Sequence, residues 1–130
     1  MSLVCRMKRN EVLDISVVFS VELFSFGKTL WKYHQRELRS QLICSGTSIG
    51  ANVAEAQGAE SKRDFYHKMS VAFKEAMETE YWLQVCARSN ELPHPGNLLE
   101  RAQSLWKLLS KILSTMRKTN SMRKDLDGLA

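Results

Sequence analysis

Arg39 to Glu55 reads R-S-Q-L-I-C-S-G-T-S-I-G-A-N-V-A-E, and this stretch decides the fold. Its pattern is helical, yet Gly46 and Gly50 stand inside it. Each interior glycine costs about 1 kcal/mol relative to alanine, so close packing must offset the loss. Gly46, Gly50 and Ala54 recur at four-residue spacing and line one strip of the helix, where a neighbouring backbone can approach. Beside the strip, Leu38, Leu42, Ile49, Val53 and Ala56 form an apolar stripe. Ser45, Ser48, Asn52 and Glu55 form a polar stripe on the other flank. Gly46-x-x-x-Gly50 has the spacing of a membrane dimer motif, but Arg39, Asn52 and Glu55 on the same helix argue for close packing in water.

The flanking sequence carries the same period outward. Helix one is expected from about Glu11 to about His34, with Ile15, Phe19, Leu23, Phe26, Leu30 and Tyr33 on one face, joined by Val18. A second apolar set, Val17, Val21, Phe24 and Trp31, lies roughly opposite. Helix two follows a short link at Gln35 to Glu37 and ends near Gln57, with Gly58 as the stop. Ser61 and Asp64 have capping-box spacing for helix three, which runs to about Ser89. Its core face carries Phe65, Met69, Ala72, Phe73, Ala76, Leu83 and Ala87, with Glu80 among them. Its second side carries Val71, Trp82 and Val85, flanked by Glu75 and Glu78. Pro93 and Pro95 break the chain, and Asn97 with Glu100 opens helix four. There Leu98, Ala102, Leu105, Trp106, Leu109, Ile112, Leu113 and Met116 make one core stripe.

These segments predict an all-α, up-down-up-down antiparallel four-helix bundle. Residues 1–130 form one domain with an ordered core of about 11–119. A loose basic arm bearing Arg6, Lys8 and Arg9 precedes the core, and a frayed polar tail follows Thr119. A chain of 130 residues is long enough to bury a core without staples. Hydrophobic residues at 44% and charged residues at 25% fit a soluble globular protein. Cys5, Cys44 and Cys86 are an odd count without a C-x-x-C pair, which disfavours a disulfide framework or zinc site and fits a reducing cytoplasm. The apolar segment Val12 to Phe26 is interrupted by Asp14 and Glu22, too short and too polar for a membrane span, so no membrane partner is expected.

The run S-G-T-S-I-G-A-N-V-A-E-A-Q-G at residues 45–58, with S-K-R-D-F at 61–65 and A-F-K-E-A-M-E-T-E-Y-W-L at 72–83, resembles a bacterial four-helix bundle family. That family includes the proteins encoded in intervening sequences of 23S ribosomal RNA genes. More distantly the chain is similar to accessory proteins of diversity-generating retroelements. The resemblance implies a small bundle that assembles into a ring, with a pentamer leading, and it implies no established activity.

The strongest functional signal in the residues is positive charge. The formal net charge is +5, and Arg101, Lys107, Lys111, Arg117, Lys118, Arg123 and Lys124 cluster in and after helix four. Such a ridge can neutralise phosphates and release counterions without reading sequence. The plainer account is an ordinary solvated helix face. Trp31 and Trp82 could stack on bases, although packing or an oligomer contact is the commoner role for tryptophan on a second face.

Glu80, Glu55 and Glu22 raise a di-metal site. Such a bundle site also needs Glu-x-x-His pairs on helices, and the one here, Glu91 to His94, is split by Pro93. No metal and no cofactor are expected. A buried polar network is expected instead, in which Glu80 or Glu55 meets Arg39, Ser45, Ser48 or Asn52. No histidine stands at a dyad spacing from Cys44 or Cys86, and no glycine-rich loop follows a strand, so no catalytic residues and no enzyme are expected. The expectation is a non-enzymatic homo-oligomer that self-associates through Val17, Val21, Phe24, Trp31, Val71, Trp82 and Val85. It would bind RNA or DNA through its basic face as an accessory scaffold. The alternative is a protein-protein adaptor of the same shape.

Overall fold

In a computed structural model, residues 3–128 are described, with the side chains of residues 3–10, 123 and 125–127 left outside the description. Four helices follow one another: α1 (Leu3–Lys32), α2 (Arg36–Gln57), α3 (Lys62–Arg88) and α4 (Leu98–Gly128). Each packs against its neighbours in sequence, and α4 closes back on α1. This is the up-down-up-down antiparallel bundle that the periodicity predicts. The α1–α2 and α3–α4 links lie at one end, and the α2–α3 link lies at the other.

Helix boundaries follow local chemistry. The Ser61 Oγ accepts the Asp64 N–H at 3.0 Å, and the Asp64 carboxylate accepts the Glu60 N–H at 3.2 Å, so the α3 start is capped as its spacing predicts. The α1–α2 turn is built by His34, at φ 60° in the left-handed region. The Gln35 N–H donates to the Leu30 carbonyl at 2.9 Å and the His34 N–H to the Trp31 carbonyl at 3.0 Å, a Schellman closure with histidine where glycine is usual. Both outer helices run longer than their patterns suggest. α1 starts at Leu3, where a loose arm was expected, and α4 continues past Thr119 to Gly128.

The organising stretch behaves as its glycines require. Gly46 and Gly50 are buried against α1. A Cβ on Gly46 would collide with the fully buried Leu23, and one on Gly50 would stand 3.2 Å from the Ser16 Cβ. Gly27 on α1 answers them, because a Cβ there would lie 2.7 Å from the Ile43 Cδ1. Small residues thus meet large ones across the α1–α2 seam in both directions, and the helices come closer than β-carbons would allow. Ala54, the third member of the sequence strip, is exposed and takes no part.

The core is otherwise apolar. It contains Val12, Phe19, Leu23, Phe26 and Leu30 of α1, Leu42, Ile49, Val53 and Ala56 of α2, Phe65, Met69, Ala72, Ala76, Leu83 and Cys86 of α3, and the α4 stripe from Leu98 to Leu113. Ile15, Val18 and Tyr33, assigned to the core face of helix one, are exposed, and Ser16 is buried in their place. The α1 core face is turned toward α2 because the glycine seam admits Ser16, whose hydroxyl is satisfied by the Val12 carbonyl at 2.7 Å. Thr79 is likewise buried, and its hydroxyl donates to the Ser45 Oγ at 2.9 Å, a polar link between α2 and α3 inside the core.

Candidate functional site

The outer faces of α1 and α4 carry the features with functional potential. On α4, Lys107, Lys111, Arg117, Lys118 and Lys124 are exposed. Lys107, Lys111 and Lys118 stand diametrically opposite the Leu105–Leu109–Ile112 stripe, at spacings of four and seven residues, so they form one straight cationic line. None of these three joins an ion pair among the described residues; Lys107 lies with its Nζ 6.0 Å from the Trp106 ring centroid. Arg101 differs from the rest of the expected ridge. It is half-buried on the α1 flank and spends its charge on Glu22 of α1. The Arg123 side chain lies outside the described residues. The ridge is therefore narrower than its sequence cluster, and its centre is the lysine line.

On α1, the outward face is apolar. Val21 is 63% exposed, Val17 54%, Val18 53% and Phe24 48%, with Ile15 at the edge toward α4. A groove of about 340 Å³ beside them is lined by Asp14, Ile15, Val18, Phe19, Arg101 and Ser104. Trp31 is also exposed, but its surroundings differ from those of Val17, Val21 and Phe24. The Arg36 guanidinium carbon lies 4.7 Å from its ring centroid and that of Arg39 lies 5.8 Å away. Two cations lie over a ring that is still half exposed, so Trp31 forms a charged rim of the apolar face.

The α3 members of the expected interface are placed differently. Val71, Trp82 and Val85 are half-buried, and Trp82 leans on the core with Tyr81 edge-on at 5.1 Å. The exposed apolar residues of α3 are Met77 and Tyr81, one helical turn apart. The second side of α3 therefore offers less open apolar surface than Val17, Val21 and Phe24 of α1.

The expected polar network does not assemble. The Glu80 carboxylate accepts from the Gln103 Nε2 at 3.1 Å and so ties α3 to α4. Glu55 accepts from the Lys68 Nζ at 2.8 Å on the surface, and this partner raises the lysine pKa. Ser48 and Asn52 turn back to the carbonyls of Cys44 and Ser48 on their own helix. Of the six residues, only Ser45 is buried in a polar contact, and its partner is Thr79. The Arg39 Nε is buried without a hydrogen-bond partner. The three glutamates considered for a metal face Arg101, Lys68 and Gln103, and no cluster of three ligating side chains occurs among the described residues. Cys86 is buried, and burial pushes its thiol pKa up, which keeps it protonated at neutral pH. Glu75 is also held above the ordinary carboxylate range, first by partial burial and then by the neighbouring Glu78 charge.

The architecture defines the chain as a small all-α bundle with one cationic and one apolar outer face. No described helix is long and apolar enough to cross a membrane. The chain belongs to the 23S rRNA-intervening sequence protein family, which it matches over residues 8–114. Among solved structures it is similar to a protein of unknown function from the S23 ribosomal protein family of Bacteroides thetaiotaomicron. The two share 36% identity with a TM-score of 0.77, over 82% of this chain and 98% of that one. No curated protein matches the chain.

Proposed function

We propose that this protein is a non-enzymatic, homo-oligomeric RNA-binding scaffold of the cytoplasm, which engages the phosphate backbone through the α4 lysine line. The observation that carries this reading is the alignment of Lys107, Lys111 and Lys118 on one exposed face, with no carboxylate paired to them among the described residues. Unpaired cations in a row suit a polyanion, because each phosphate contact releases condensed counterions. Self-association is supported by the apolar outer face of α1, which is costly to leave in water and suits a second copy. A ring, with a pentamer as the leading arrangement, would repeat the lysine line around an assembly and turn modest contacts into avidity.

The test is fluorescence anisotropy with a labelled mixed-sequence RNA, titrated across salt, on protein of measured oligomeric mass. Binding should weaken steeply with salt. Reversal of Lys107, Lys111 and Lys118 to glutamate should lower affinity and make the logarithmic salt slope shallower by about two to three. No binding at low salt would overturn the reading, and the α1 face would then be sought as an adaptor surface for another protein.

A further inference from the structure

The corner where α1 turns into α2 holds an arrangement that the lysine line does not use. Trp31 is 51% exposed, and Arg36 and Arg39 both lie over its ring. Neither arginine has an ion pair among the described residues, and the Arg39 Nε is buried without a partner. Lys28 and Lys32 stand on either side of Trp31 in sequence, both exposed, and Glu37 is the one acidic residue between 24 and 43. Two guanidiniums on one ring repel each other, and neither is paired with a carboxylate among the described residues. The α2 N-terminus lies at the same place, with no side-chain cap on Gln35. Its unpaired N–H groups add further positive potential.

We propose that the Trp31–Arg36–Arg39 corner is a second nucleic-acid contact, a stacking platform for an unpaired base of single-stranded RNA whose flanking phosphates meet the two guanidiniums. It rests on the RNA-binding reading above but not on the α4 line. An indole face tolerates any base, and arginine planes extend the stack while neutralising the backbone. Duplex RNA cannot offer a splayed base, so the corner discriminates single strands where the lysine line does not. The turn geometry makes the site. The left-handed His34 folds α2 back so that residues five and eight positions after Trp31 reach its ring.

The test compares wild type, Trp31→Phe, Trp31→Ala, Arg36→Gln and the α4 triple reversal. Each is titrated with an oligouridylate of about six nucleotides and with a duplex RNA, by anisotropy and tryptophan fluorescence. Arg36 is exposed and Trp31→Phe keeps an aromatic ring, so both variants should fold, which circular dichroism checks. Wild type should show fluorescence quenching by oligouridylate that Trp31→Phe largely removes. Trp31→Ala should weaken oligouridylate binding about tenfold and leave duplex binding unchanged. Arg36→Gln should make the salt slope for the single strand shallower by about 0.7. Equal single-strand affinity in wild type, Trp31→Ala and Arg36→Gln would overturn the corner while leaving the lysine line in place. Loss of duplex binding in the α4 reversal, with oligouridylate binding retained, would support both sites. Failure of wild type to bind either RNA would overturn both proposals.

Discussion

At the scale of single residues, Gly46 shows how a glycine can be worth more than its helix propensity. On propensity alone, Gly46→Ala should stabilise α2 by about 1 kcal/mol. The added methyl would strike the Cδ2 end of the Leu23 side chain, which is fully buried. Overpacking of this kind typically costs about 1–3 kcal/mol, so the net change should be destabilising in urea unfolding. Leu23→Ala removes the collision, and the double variant should lose less than the two single losses added together. A stabilised Gly46→Ala protein would show that Leu23 can move aside within the α1–α2 seam. The sequence alone made Gly46 and Gly50 legible, because two glycines in a strongly patterned helix need a packing reason. It did not show Gly27, whose single position inside α1 has no partner glycine to mark a strip.

At the scale of the helix, the faces that touch a neighbouring helix were easier to read than those that touch nothing. The α2 and α4 stripes follow the 3.6-residue period, and the buried sets match them apart from the half-buried Leu38, Trp106 and Met116. α1 was harder, since its apolar residues go almost all the way round. Periodicity cannot say which of two apolar faces turns inward. That choice was made by Ser16, Gly46 and Gly50, a tertiary contact that placed Ile15 and Val18 outside. The Glu22–Arg101 pair and the Trp31 corner depend on residues distant in sequence or folded over a turn, and they left no local signal. The α1 terminus offers a separate check. His34 holds a left-handed conformation that costs an ordinary residue about 1–2 kcal/mol, while glycine in exchange loses more backbone entropy on folding. His34→Gly should therefore raise stability by about 0.5–1 kcal/mol in thermal or urea unfolding. Unchanged or lower stability would mean that the imidazole makes up for its backbone.

At the scale of the whole molecule, the outer surface divides by chemistry. Valines and Phe24 cover α1, lysines line α4, and the groove at Asp14, Ile15, Val18 and Arg101 lies where the two helices meet. If α1 is where copies meet, a charge at its centre should dissociate them without harming the fold. Val21 is the most exposed apolar residue of that face, so Val21→Glu should leave helicity unchanged while reducing the mass measured by light scattering toward 14.9 kDa. An unchanged mass would move the contact elsewhere, with Met77 and Tyr81 of α3 as the next surface to examine.

An even number of antiparallel helices has a further consequence. α1 begins and α4 ends at the same pole, whereas the His34 turn, Trp31 and Arg36 occupy the other. Cargo genetically fused to either extremity would sit on one side of the molecule and leave the tryptophan pole unobstructed. A loop grafted into the α1–α2 link would instead block that pole directly. The topology thus separates the pole that carries both extremities from the pole that carries the tryptophan turn.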